Sequence, residues 1–192
     1  MTRSVPSGMS RGQRRNHFFR EKCSLQPFSV RKAIMSFDRI DTVGFTQADI
    51  SRKPEVFRLA TAAGKIRLSK KTIARIRGGR IEKGDPMSLA RLMAVTGAKQ
   101  TPSLLALCHP LRIEKTETRA ELAKDGVEVS VTVAAHEKTG VEMEALTAVA
   151  VALLNIWDVV KPYEKDPDGQ YPDTRIEFIR VERKVKKPTE SA

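Results

Sequence analysis

The sequence predicts an α+β domain of ferredoxin-like type, an antiparallel sheet packed against helices. Three observations carry this: a hairpin at residues 111–133, a long apolar helix at 140–160, and a returning strand at 175–185, with helices upstream.

The hairpin is the clearest signal. Val127, Val129, Val131 and Val133 alternate with Glu128, Ser130 and Thr132, the period of a half-buried strand. Residues 111–122 place Lys115, Glu117 and Arg119 on one face, Thr116 and Thr118 on the other, and Asp125-Gly126 supplies the turn between the strands. The helix is the run Ala145 to Trp157, with Glu142 and Glu144 before it and Asp158 and Lys161 after it. That run is shorter than the roughly 20 residues a bilayer crossing requires, so no membrane partner is expected. A Pro/Asp/Gly-rich loop at 161–172 precedes the last strand.

Upstream, residues 56–68 read as a strand in which Gly64 permits a bend. Ser69 caps a helix running through Ile73 and Ile76 to Gly78-Gly79. Asp85-Pro86 opens a second helix with cap and first-turn proline in the preferred order, and Gly97 weakens it. Pro102 is expected to start a third, short helix through Leu104, Leu105 and Leu107, stopped by Pro110. The expected organisation is a basic extension at 1–44, a catalytic domain at 45–186 and a frayed tail at 187–192.

Of the net charge of +12, +7 lies in residues 1–34, and the remainder is only mildly basic. Such a body suits a phosphorylated small molecule as well as a polynucleotide. The basic segment reads as a transit segment, a disordered arm, or sequence upstream of a start at Met35; the last is preferred. The alternative function is a basic nucleic-acid-binding module, but two Tyr and one Trp give it little aromatic interleaving. Cys23 and Cys108 lie in unlike surroundings and no histidine has metal-ligand spacing, so the expectation is a reducing, cytoplasmic setting with no metal site.

Four clusters hold candidate chemistry. Lys99 in Gly97-Ala98-Lys99-Gln100-Thr101 reads as a cation at a helix C-terminus, commonly a mere complement to the dipole. In Leu107-Cys108-His109-Pro110-Leu111, the histidine is held extended by the proline, and the cysteine is most simply a small buried side chain. Lys138-Thr139-Gly140 is a fragment of a phosphate loop ahead of Glu142, Met143 and Glu144, whose acids also suit a helix N-terminus. Asp158 and Lys161 share a helix face, next to residues expected to be buried, which would desolvate the lysine and ready it for proton transfer. Fourteen residues of helix separate Glu144 from Asp158, about 21 Å. One reacting atom cannot touch both, so the substrate is long or two subunits share the site.

These motifs, with Asp49-Ile50-Ser51-Arg52-Lys53, Lys83-Gly84-Asp85 and the unbroken KTGVEMEALTAV, stand in an order that closely resembles the cyclic pyranopterin monophosphate synthase family of molybdenum cofactor biosynthesis. The resemblance implies a lyase that converts 3′,8-cyclo-7,8-dihydroguanosine triphosphate to cyclic pyranopterin monophosphate and pyrophosphate. It implies a homohexamer, a trimer of dimers with sites at subunit interfaces. Carried over by motif, Lys99, Asp158 and Lys161 form the acid–base core. Leu107, Cys108, His109, Glu142, Met143 and Glu144 line the substrate site, and Lys138 holds phosphate. No cofactor is required, with Mg2+ admitted only as a counter-ion to pyrophosphate. The sequence departs from the family at Gln47-Ala48, Pro86-Met87 and Thr96-Gly97.

Overall fold

The computed structural model describes residues 44–188. The expected basic extension, apart from Gly44, and the end of the expected tail (189–192) lie outside the described residues. The elements are β1 (Val56–Arg67), α1 (Lys70–Arg77), α2 (Pro86–Leu104), β2 (Lys115–Leu122), β3 (Gly126–Glu137), α3 (Glu142–Glu164) and β4 (Arg175–Lys187). The strands form one antiparallel sheet in the order β2-β3-β1-β4. This is the ferredoxin-like order: two β–helix–β halves interleave, and the first half carries α1 and α2 where the second carries only α3.

The expected alternation sets the core. Val127, Val129, Val131 and Val133 on β3 are buried, as are Ala60, Ala62 and Ile66 on β1. They meet Ala145, Ala148, Val149, Ala152, Leu153, Ile156 and Val160 of α3. α3 is long and apolar enough to cross a bilayer, but it packs against both α2 and the sheet, and those residues bury its apolar surface in the core. Two glycines let it sit there. A Cβ on Gly64 of β1 would stand 2.7 Å from Val149 Cγ1, and one on Gly97 of α2 would stand 2.9 Å from Val151 Cβ. Any larger residue would push α3 off the sheet or off α2.

The caps are as the sequence predicts. Ser69 Oγ accepts the Thr72 amide, and Asp85 accepts those of Met87 and Ser88. Several boundaries differ. Pro102 does not begin a new helix: α2 runs past Gly97 and Pro102 to Leu104, where Leu105 N–H closes onto Thr101 O at 2.9 Å. A proline so near a helix end costs one amide that the last turn can spare. α3 likewise continues through Pro162 to Glu164, so Lys161 is helical. β2 begins only at Lys115, because the Arg112 amide donates to the Glu137 carboxylate (2.8 Å) outside the ladder. Lys186 and Lys187, expected beyond the strand, pair with Arg58 and Phe57 of β1.

Candidate active site

The two ends of α3 each gather part of the predicted chemistry. At the N-terminal end a cavity of about 180 Å3 is lined by Leu107, Cys108, His109, Met143 and Glu144, all predicted, together with Ala48, Ile50, Lys53 and the Thr139-Gly140 turn. The 107–111 segment reaches it because α2 ends at Leu104 and Gln47 Nε2 donates to Leu107 O at 3.3 Å. Lys138 lies beside the cavity, its Nζ donating to Ser51 O at 3.4 Å and so tying down the segment that carries Ala48 and Ile50. Arg58 donates to the carbonyls of Glu137 and Lys138 and fixes the backbone entering this turn.

Two carboxyls lie two residues apart here, in opposite states. Glu142 is partly buried, which works against its charge, but an ion pair to Lys184 of β4 and its own backbone amide outweigh that and hold its carboxyl below the usual range. Glu144 is 3% exposed, and its Oε2 has no hydrogen-bond partner. Burial pushes its carboxyl up, the neighbouring Glu142 charge adds to this, and its own amide offsets only part. Burial also raises the Cys108 thiol, with the Glu144 charge as a second cause. Cys108 is therefore a protonated thiol in the wall of the cavity, not an activated nucleophile.

At the other end, Asp158 binds two lysines at once. Lys161 Nζ reaches Oδ1 at 2.7 Å and Lys83 Nζ reaches Oδ2 at 3.0 Å. The Lys161 hydrogen bond, then that of Lys83, holds the Asp158 carboxyl below its ordinary range. The predicted desolvation of Lys161 is not found. Its side chain is 44% exposed and its ammonium is raised, chiefly by the hydrogen bond it donates to Asp158. Trp157 turns toward Tyr171 and Leu154 faces outward at 55% exposure, so burial on this side of α3 stops short of Lys161. Within one chain, Lys161 is a firm cation suited to clamping phosphate.

Lys99 joins neither group. The expected helix end is the interior of α2, whose buried face carries Ala90, Ala94, Gly97, Ala98 and Thr101. Lys99 stands on the opposite, exposed face, outside the cavity lining. Sequence reasoning missed Lys83 and Lys53 as site residues, although both lie in motifs it singled out, and it had no signal for Lys184. A larger cavity, about 780 Å3 beside Ser69, Tyr163 and Glu164, holds none of the predicted residues; Glu164 on its wall is already satisfied by Ser69 and Thr174. Among the described residues no group of three or more His, Cys, Asp or Glu is placed to hold a metal.

A family model described as the MoaC family matches residues 47–187. A probable cyclic pyranopterin monophosphate synthase of Sulfurisphaera tokodaii is 50% identical over 138 residues, 72% of this chain and 91% of the relative. Proteins of the same name are 48% identical in Pyrococcus abyssi (77% of this chain, 92% of the relative) and 51% identical in Aeropyrum pernix (74% and 98%). Nothing in these matches favours the nucleic-acid module.

Proposed function

The chain belongs to the MoaC family, and on that premise we propose that it is the cyclic pyranopterin monophosphate synthase of molybdenum cofactor biosynthesis. It is a lyase that rearranges 3′,8-cyclo-7,8-dihydroguanosine triphosphate to cyclic pyranopterin monophosphate and releases pyrophosphate. Opening the imidazole ring and closing the pterin call for successive proton transfers, the work of carboxyl and ammonium groups held in different protonation states. Attack of a ribose hydroxyl on the α-phosphorus expels pyrophosphate, whose growing negative charge needs fixed cations.

The observation that carries the site assignment is the unbroken α3, which keeps the two groups about 21 Å apart. The cavity at its N-terminal end is also smaller than the roughly 300 Å3 at which ligand pockets usually begin. We read each group as half of a site. His109, Cys108, Leu107, Met143, Glu142 and Glu144, with Lys138, come from one protomer; Asp158, Lys161 and Lys83 come from its neighbour in a homohexamer, a trimer of dimers. Lys99 keeps its assignment by motif and would serve where a neighbour covers its face of α2. No resident cofactor is needed, and Mg2+ would enter only with pyrophosphate. Cys108 is a free thiol, in keeping with a cytoplasmic setting.

The reaction is tested by supplying the cyclic dihydro-GTP intermediate and following pyrophosphate and the fluorescent oxidised pterin; no turnover by the purified protein would sink the assignment. The shared site is tested by mixing. His109→Ala and Lys161→Ala, each inactive alone, should recover roughly a quarter of wild-type activity after random reassembly, since one site in four then has both halves intact. No recovery despite subunit exchange would place each site within a single chain.

A further inference from the structure

Lys83 comes from a short connection between α1 and α2, not from a helix or strand, so something must hold it against Asp158. On its far side the backbone is fixed by Asp85, which caps α2 through the Met87 and Ser88 amides and accepts Ser88 Oγ–H at 2.6 Å. Gly84, at φ +110°, makes the turn, and its amide closes onto Ile81 O at 3.1 Å. On the near side the anchor is a side chain. Tyr163, in the last turn of α3, accepts the Glu82 amide on its Oη at 3.1 Å. Its ring packs against the core and lies under the Arg75 guanidinium of α1, 4.7 Å from the ring centre. Tyr163 thus bonds the residue next to Lys83, from the same helix end that carries Asp158 and Lys161.

We infer that Tyr163 is a positioning residue, a latch that ties the Ile81–Gly84 turn to the end of α3 and so sets Lys83 on Asp158. Lys83 keeps side-chain freedom, being 46% exposed, and reaches both Asp158 Oδ2 and the Asp158 carbonyl (3.3 Å). A long, flexible ammonium gains such a position only where its backbone is held on both sides. With the latch open, the turn keeps its Asp85 anchor, and Lys83 swings about it away from the carboxylate. The inference rests on the site reading above, in which Asp158, Lys161 and Lys83 act together.

The test is Tyr163→Phe, which removes the hydroxyl and keeps the ring and its contact with Arg75. The expected result is a fall in kcat of about 10-fold with a smaller change in KM. The acid limb of the pH–rate profile should move to higher pH, because Lys83 no longer helps hold the Asp158 carboxyl down. In a Lys83→Met background the same substitution should cost nothing further, which a general loss of packing would not reproduce. Titration of the Asp158 carboxyl by 13C NMR, upward in Tyr163→Phe and unchanged between Lys83→Met and the double variant, reads the latch without turnover. If wild-type protein fails to convert the intermediate, the proposed reaction falls, while the titration still decides the latch. An Asp158 titration identical in wild type and Tyr163→Phe, or an equal loss of rate in the Lys83→Met background, would overturn it.

Discussion

The two ends of α3 put carboxyl groups to work in contrasting ways. At the N-terminal end Glu144 is buried with an unpartnered oxygen and is driven toward its neutral form, while Glu142 keeps its charge through Lys184. At the C-terminal end Asp158 is about half exposed, lies between two lysines and stays ionised. The same chemical group is pushed toward its neutral form at one end and held as an anion at the other. What differs is hydration and partner, not residue type. A reaction of several proton transfers needs both states together, and a site built from one end of each of two α3 helices would supply them.

The largest effect should come from the C-terminal end. Asp158→Asn, Lys161→Ala and Lys83→Ala should each lower kcat/KM by about 10²–10⁴, the range of a lost proton-transfer or charge-stabilising group. Steady-state kinetics on the cyclic intermediate measures this, and full activity in Lys161→Ala would remove that end from the site.

An intermediate effect separates the two glutamates. A glutamine imitates a neutral carboxyl but not a charged one, so Glu142→Gln, which breaks the pair with Lys184, should cost about 10–100-fold in kcat. Glu144→Gln should cost less than Glu144→Ala. Equal losses in Glu142→Gln and Glu144→Gln would show that the two carboxyls share one protonation state.

The smallest effect is on stability. The folded Glu144 carboxyl titrates above its unfolded value, so the native state binds the proton more tightly, and stability falls as pH rises between the two values. Glu144→Gln, which cannot ionise, should therefore be more stable than wild type at pH 8, by on the order of 1 kcal/mol, and match it near pH 4. Thermal unfolding across that range checks it. A gain that persists at pH 4 would locate the effect in packing instead of charge.

Local signals were legible wherever physics is local. The Val127–Val133 alternation and the Ser69 and Asp85 caps each involve neighbours a few residues apart, and each appears as predicted; the hairpin turn forms too, but on Lys124-Asp125, with Gly126 already paired in β3. Propensity argues for a helix weakened at Gly97 and a new one started at Pro102. The packing of α2 on α3 overrides that, and Gly97 lies directly against Thr147, Ala148 and Val151 of α3. Within the candidate site, Cys108, His109, Met143 and Glu144 gather as the motifs suggest. The apolar run ahead of Lys161 does not carry burial past it, so the lysine stays hydrated where the pattern alone predicts desolvation. Lys184 and Tyr163 had no sequence signal, since their partners Glu142 and Glu82 lie 42 and 81 residues away.

By itself the sequence determined the strand and helix pattern, the family, and a helix too long for one reacting atom to touch both ends. Those follow from period, motif order and the rise per residue, all properties of the chain taken in order. Only the tertiary structure decided the charge each acid carries and which lysine reaches Asp158. Protonation depends on hydration and on distances between groups far apart in the chain, and those exist only once β4 lies beside β1 and the turn before α2 is drawn onto the end of α3.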